Sequence, residues 1–124
     1  MQKLIFIVDD NDACLTMAAS ALESEYMVLT VPSAEKMFSL LEKKTPDLIL
    51  LDILMPGMGG FDAIAKLKEH PVWSKIPVVF LTGMIDDGLL ANALKAGALD
   101  VISKNIESAA LLDSVNKHLP ASGT

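Results

Sequence analysis

The stretch LILLDILMPGMGG, residues 48–60, constrains the fold more than any other part of the chain. Four consecutive aliphatic residues, 48–51, offer no position to water and are too few for a helix, so they read as a strand buried on both faces. They run directly into Asp52. An unpaired carboxylate is costly to bury, so this strand must end at a sheet edge where solvent, a metal ion or a partner reaches it. Met55 and Pro56 interrupt the strand, and Gly57, Gly59 and Gly60 let the backbone turn away within a few residues.

A length of 124 residues is the size of one domain able to bury a core without disulfides or structural metal. The expected domain spans residues 1–120, with 121–124 as a disordered tail. Hydrophobic residues at 52% and charged ones at 21% suit a compact globule. No apolar run is long enough for a bilayer, and the start, MQKLIFIVDD, is too short in its apolar part for a signal peptide, so a cytoplasmic protein away from the membrane is expected. The single cysteine, Cys14, falls among apolar positions of a predicted helix and reads as a buried, inert thiol. The net charge is −6, and all ten basic residues are lysine. Without arginine there is no bidentate reading of guanine or phosphate, and direct nucleic-acid binding is not expected.

Residues 4–8 form a second apolar run that ends in carboxylates, Asp9, Asp10 and then Asp12. Helical spacing of Cys14, Met17, Ala18, Ala21 and Leu22 predicts a helix over about 13–24. A strand is expected at 26–31, and Ser33 is placed to cap a helix running to about 43. Beyond the glycines a helix is expected from about 61 to His70, because the residue before Pro71 is pushed out of the α region. Residues 78–81 are another apolar run, ending in Thr82. A helix beginning at Asp86 or Asp87 would run through Leu90, Ala93 and Leu94 and close at Gly97. A short strand at about 100–102 leads to Ser103 and Lys104. Asn105 is the expected cap of a last helix with Ile106, Leu112, Val115 and Leu119 inward. His70 and His118 fall near helix ends, where a solvated or dipole-pairing role suffices.

Strand and helix alternate five times, which predicts an α/β, doubly wound three-layer sandwich with a parallel sheet and right-handed crossovers. Strand C-termini then share one edge, where ligands of such sheets bind. Asp9, Asp10, Asp52, Thr82 and Lys104 all fall there. Carboxylates about 5 Å apart at an effective dielectric near 20 repel by roughly 3 kcal/mol per pair, so something positive must offset them. A Mg²⁺ ion, which prefers carboxylate oxygen, suits the set, and Lys104 adds a fixed charge. With the charge neutralised, Asp52 becomes a candidate nucleophile toward phosphorus, and Thr82 a hydroxyl donor to a phosphoryl oxygen.

FIVDDN, LLDILMPGMGG, PVVFLTG and GALDVISK, in this order and spacing, resemble the receiver domain of two-component response regulators, the CheY-like family. The resemblance implies a flavodoxin-like (βα)5 fold with strand order 2-1-3-4-5. It implies Asp52 as phosphoacceptor, Asp9 and Asp10 as acidic metal residues, and the Leu54 backbone carbonyl as a further Mg²⁺ ligand. Thr82 becomes the switch hydroxyl and Lys104 the phosphate lysine. Such a domain takes its phosphoryl group from a histidine kinase or a histidine phosphotransfer protein. It then regulates a partner or output domain, in some cases as a homodimer through the face of the fourth helix, fifth strand and fifth helix. It is an enzyme only in its own phosphorylation and dephosphorylation. Leu54 and Met84 place apolar side chains beside the expected phosphate path, which predicts slow hydrolysis.

Two positions depart from the family pattern. Val101 stands where an aromatic ring usually swings inward, which removes the family's usual report of phosphorylation. Asn105 stands where a proline, often cis, usually follows the lysine. A cis bond to a non-proline residue costs about 3 kcal/mol, so a rearranged or strained loop is expected. These departures keep an interaction module with impaired switching as an alternative. A haloacid-dehalogenase-type phosphatase, with Asp10 as nucleophile, is a further one, although Cys14 stands where that motif expects Thr or Val.

Overall fold

The computed structural model describes residues 2–119. Residue 120 and the expected tail, 121–124, lie outside the described residues. The elements follow in the order β1 (Leu4–Val8), α1 (Asp12–Leu22), β2 (Met27–Val31), α2 (Ala34–Leu41), β3 (Leu48–Asp52) and α3 (Gly60–Glu69). A 3₁₀ turn (Trp73–Lys75), β4 (Val78–Thr82), α4 (Asp87–Ala96), β5 (Asp100–Ser103) and α5 (Ser108–His118) complete the chain. The five strands are parallel and ordered β2-β1-β3-β4-β5, the flavodoxin-like arrangement of CheY. Because β1 lies between β2 and β3, the chain reverses its direction of winding at the β1–β3 boundary, where a ligand crevice opens in folds of this kind.

Alternation along each strand divides the core into two layers. Phe6, Val8, Ile49, Leu51, Val78 and Phe80 face α2, α3 and α4, where Met37, Phe38, Ile64 and Leu67 cover them. Ile5, Ile7, Leu48, Leu50, Val79 and Leu81 face α1 and α5, which contribute Leu15, Leu22, Leu111 and Val115. Strands β3 and β4 are buried throughout, which is why they carry no polar residue before their last position. Among the described residues no helix is long and apolar enough to cross a membrane.

Several helix ends follow from side chains. Asn11 Oδ1 accepts the Cys14 N–H at the start of α1, Ser33 Oγ that of Lys36 in α2, and Asp86 Oδ1 that of Leu89 in α4. Gly97, at φ +107°, closes α4 in the left-handed region.

Three sequence expectations change. Asn105 does not cap α5, which begins at Ser108 after Glu107; its N–H instead bonds Ser103 Oγ at 3.1 Å in a turn off β5. This turn uses only trans peptide bonds and no positive φ, so it carries neither of these forms of backbone strain. On α4, Leu90 and Leu94 lie on the exposed side. Leu89, Ala93 and Ala96 pack on the core, while Leu94 is 49% exposed. An Ala-rich helix has two stripes of apolar positions, and its seat on the sheet chose the 89-93-96 stripe. Cys14 is only half-buried. Tyr26 precedes β2 rather than beginning it, and its hydroxyl donates to Asn116 Oδ1 on α5.

Candidate functional site

Asp9, Asp52 and Thr82 are the three buried polar residues among those described. Each stands at the C-terminal end of a strand: Asp9 just after β1, Asp52 last in β3, Thr82 last in β4. Parallel register places these ends side by side, since Val8 pairs with Leu51, Asp52 with Leu81, and Thr82 with Ser103. The exposed Asp10 joins them, and Asp9, Asp10 and Asp52 each offer a carboxylate oxygen within 4.8 Å of the others.

Lys104 reaches this group from the end of β5, where its N–H bonds the Thr82 carbonyl at 2.8 Å. Its ammonium lies 2.9 Å from Asp9 Oδ2 and 3.0 Å from Asp52 Oδ1. Asp9 Oδ1 accepts the Asn11 N–H at 3.0 Å. Asp52 Oδ2 is buried and has no hydrogen-bond partner. The contact to Asp9 Oδ2 is close but poorly aligned for a hydrogen bond, so it acts as an ion pair. One lysine therefore leaves three clustered carboxylates incompletely satisfied.

The electrostatics follow. Burial, opposed by the Lys104 hydrogen bond and reinforced by the Asp9 charge, pushes the Asp52 carboxyl up to about 6. Burial alone would lower Lys104, but its close pairing with Asp9 and Asp52 outweighs it and holds the ammonium above its ordinary range. Burial and then the Asp9 charge raise the Cys14 thiol, which suits an inert group.

Thr82 sits at the same edge, but its hydroxyl is engaged along the chain. It donates to the Met84 carbonyl at 3.1 Å and accepts the Met84 N–H at 3.4 Å. Leu54 lies on the loop leaving β3 with its side chain 81% exposed, and Met84, on the loop leaving β4, is 80% exposed. Val101 is buried in the core layer under α4. Sequence reasoning missed Glu35 on α2, whose Oε2 accepts the Met58 N–H at 3.4 Å across the β3–α3 loop. No local pattern joins positions 35 and 58; only the shared sheet edge does.

The donor set suits a hard divalent cation: carboxylate oxygens only, one of them buried and without a partner. Parallel strands that carry this acid-and-lysine edge define a class of phosphorelay receiver folds. The family described as the response regulator receiver domain matches residues 5–116, and the chain belongs to that family of two-component signalling domains. Response regulator PleD of Caulobacter vibrioides is 35% identical over 116 residues, covering 93% of this chain and 26% of PleD. The chain thus spans about a quarter of that relative. An uncharacterized 14.6 kDa protein of Leptolyngbya boryana is 31% identical, over 92% of this chain and 88% of its own length. Among solved structures, a CheY-like receiver domain protein of Methanospirillum hungatei superposes with a TM-score of 0.85 at 28% identity, over 95% of this chain and 94% of that one. The BeF3-activated receiver domain of DrrB, a protein of Thermotoga maritima, gives 0.86 at 25% identity, over 96% and 98%. Receiver domains are signalling units and generally not catalysts in their own right.

Proposed function

We propose that this domain accepts a phosphoryl group on Asp52, with Mg²⁺, from the histidine of a cytoplasmic histidine kinase or phosphotransfer protein, and so regulates a partner or output domain. The observation that carries this reading is Asp52 Oδ2, a buried carboxylate oxygen without a hydrogen bond inside a three-aspartate cluster. Asp9, Asp10, Asp52 and the Leu54 backbone carbonyl would hold the ion, which supplies charge neutralisation for the carboxylates and the transferred phosphoryl oxygens.

The chain's own residues do the rest. Asp52 uses one carboxylate oxygen to form the new O–P bond as the P–N bond to the donor histidine breaks, and the released imidazole nitrogen takes a proton from water. Lys104, already 3.0 Å from Asp52, stays close enough to pair with a phosphoryl oxygen. Hydrolysis by water returns Asp52 and inorganic phosphate. For Thr82 to donate to the phosphoryl group, its hydroxyl must leave the Met84 carbonyl, which frees the β4–α4 loop. That loop is a route of report that needs no aromatic ring at Val101. The face of α4, β5 and α5, where Leu90, Leu94 and Leu99 are exposed, is the surface assigned to a second copy or output partner. A chain whose basic residues are all lysine is assigned no direct contact with nucleic acid, and no membrane contact.

Phosphorylation by a radiolabelled small phosphodonor with Mg²⁺ tests the reading. Wild type and Asp10→Ala should be labelled to different extents and Asp52→Ala not at all; label retained on Asp52→Ala would end it. A second reading, an interaction module that no longer switches, draws on Val101 and on the engagement of Thr82. Beryllofluoride, the group that activates the DrrB receiver domain, separates the two: unchanged amide exchange with beryllofluoride and Mg²⁺ would favour the inert module.

A further inference from the structure

The parallel topology sorts the charges of this chain by edge. Every helix runs back against the strands, so all five helix N-termini open on the edge that carries Asp52. Each of them bears an acid in its first turn or at its N-cap: Asp12 on α1, Glu35 on α2, Asp62 on α3, Asp86 and Asp87 on α4, and Glu107 on α5. All six are exposed. Only two lysines share this edge. Lys104 is taken up by Asp9 and Asp52, which leaves Lys36. The other eight of the ten lysines, among them Lys43, Lys66, Lys95 and Lys117, fall at the opposite edge, near helix C-termini or strand starts. The helix dipole accounts for acids at these positions. It does not cancel their effect on an approaching ligand, because the six exposed carboxylates share the sheet edge at which the unpartnered Asp52 Oδ2 is buried.

Resting on the phosphoacceptor reading of Asp52, we propose that this acidic edge makes the site selective for a phosphohistidine set in a lysine- or arginine-rich protein surface, against free small phosphodonors. A small acyl phosphate arrives as a bare dianion and meets a negative field with no compensating group of its own. A phosphohistidine carries the same charge, but the surface around it can present cations to Asp12, Asp62, Asp87 and Glu107. Leu54 and Met84, exposed on the loops leaving β3 and β4 at the same edge, offer such a surface apolar contacts. Fields of one sign around a cleft alter encounter rates by about tenfold or more and fade as salt shortens the screening length from roughly 30 Å at 0.01 M to about 8 Å at 0.15 M. The attack itself is unchanged: one O–P bond forms on Asp52 and one P–N bond breaks on the donor.

The test measures Asp52 labelling at saturating Mg²⁺, over a range of KCl, from three donors: acetyl phosphate, a phosphohistidine peptide flanked by lysines, and the same peptide flanked by glutamates. Wild type is compared with the combined variant Asp12→Asn, Asp62→Asn, Asp87→Asn, Glu107→Gln. In wild type, acetyl phosphate and the glutamate peptide should speed up roughly three- to tenfold from low to high salt, while the lysine peptide slows. In the variant all three rates should converge and lose most of their salt dependence. A lysine peptide no faster than the glutamate peptide at low salt would overturn the proposal. So would wild-type rates indifferent to salt, a result that needs no variant to fold. Absence of label on wild-type Asp52 from every donor would bring down the phosphoacceptor reading and this proposal with it. Labelling without charge preference brings down the role of the acidic edge alone.

Discussion

Lys104 Nζ lies 3.0 Å from Asp52 Oδ1, although β4 separates the strands from which the two residues emerge. The same ammonium is 2.9 Å from Asp9, three strands and 95 positions away. One cation thus spans the edge and partly neutralises three carboxylates. Removing it with Lys104→Met leaves Asp9 and Asp52 uncompensated, and is expected to cost roughly 2 kcal/mol of stability without Mg²⁺ and clearly less with it. Urea denaturation with and without Mg²⁺ checks this, and a loss independent of Mg²⁺ would contradict it.

The raised carboxyl of Asp52 sets a pH dependence. Its ordinary value is 3.8 and its folded value about 6, so the folded protein holds a proton that the unfolded chain releases between these pH values. The favourable contribution is complete below pH 3.8 and lost as pH rises through 6, above which the ionised group costs about 1–3 kcal/mol. Asp52→Asn should therefore be more stable than wild type at pH 7.5 and no different near pH 4. Equal differences at both pH values would rule this out.

Thr82 bonds its own loop in the resting structure. Thr82→Ala should accelerate amide exchange at residues 83–86 and abolish the further change that beryllofluoride with Mg²⁺ produces in wild type. Thr82→Ser, which keeps the hydroxyl, should retain both behaviours. Exchange in Thr82→Ala that matched wild type would break the link between hydroxyl and loop.

Leu54 and Met84 stand exposed on the two loops beside Asp52. Replacing either apolar side chain with one that can hold water, Leu54→Asn or Met84→Glu, is expected to shorten the aspartyl phosphate lifetime by roughly 3-fold or more, equivalent to lowering the barrier by about 0.7 kcal/mol. The Leu54 change leaves its backbone carbonyl in place. A lifetime shortened by neither variant would show that these side chains do not obstruct the attacking water.

Gly60 is held by close approach rather than by a special φ. A Cβ there would lie 2.7 Å from the Asp52 carbonyl and 2.8 Å from Ile53 Cα. Gly60→Ala should destabilise by about 2 kcal/mol and reduce labelling, because the atoms that must yield belong to the end of β3. Gly83→Ala, with nothing within 4 Å, is the matched control and should be near neutral. Thermal melts of the two variants decide it.

Much of this molecule is legible along the chain. Apolar runs that end in Asp9, Asp52 and Thr82 reveal strands buried on both faces and a shared polar edge, because a run of four or five aliphatic residues has one economical burial and a terminal carboxylate must escape it. The glycines and Pro56 mark the departing loop, and Ser33, Asp86 and Gly97 mark helix ends through local hydrogen bonds and backbone sterics. Five alternations of strand and helix imply the layers, and the family resemblance supplied the strand order found in the sheet.

Other features were decided only when the layers closed. The stripe of α4 that meets the core, the turn that delays α5 to Ser108, and the reach of Glu35 to Met58 depend on neighbours far away in sequence. So do the sharing of Lys104 between two aspartates and the orphaned Asp52 Oδ2. Burial periodicity and caps act over a few residues and can be read locally. The partner of a long polar side chain is set by which strand ends the sheet brings within about 3 Å, a distance that exists only in the assembled fold.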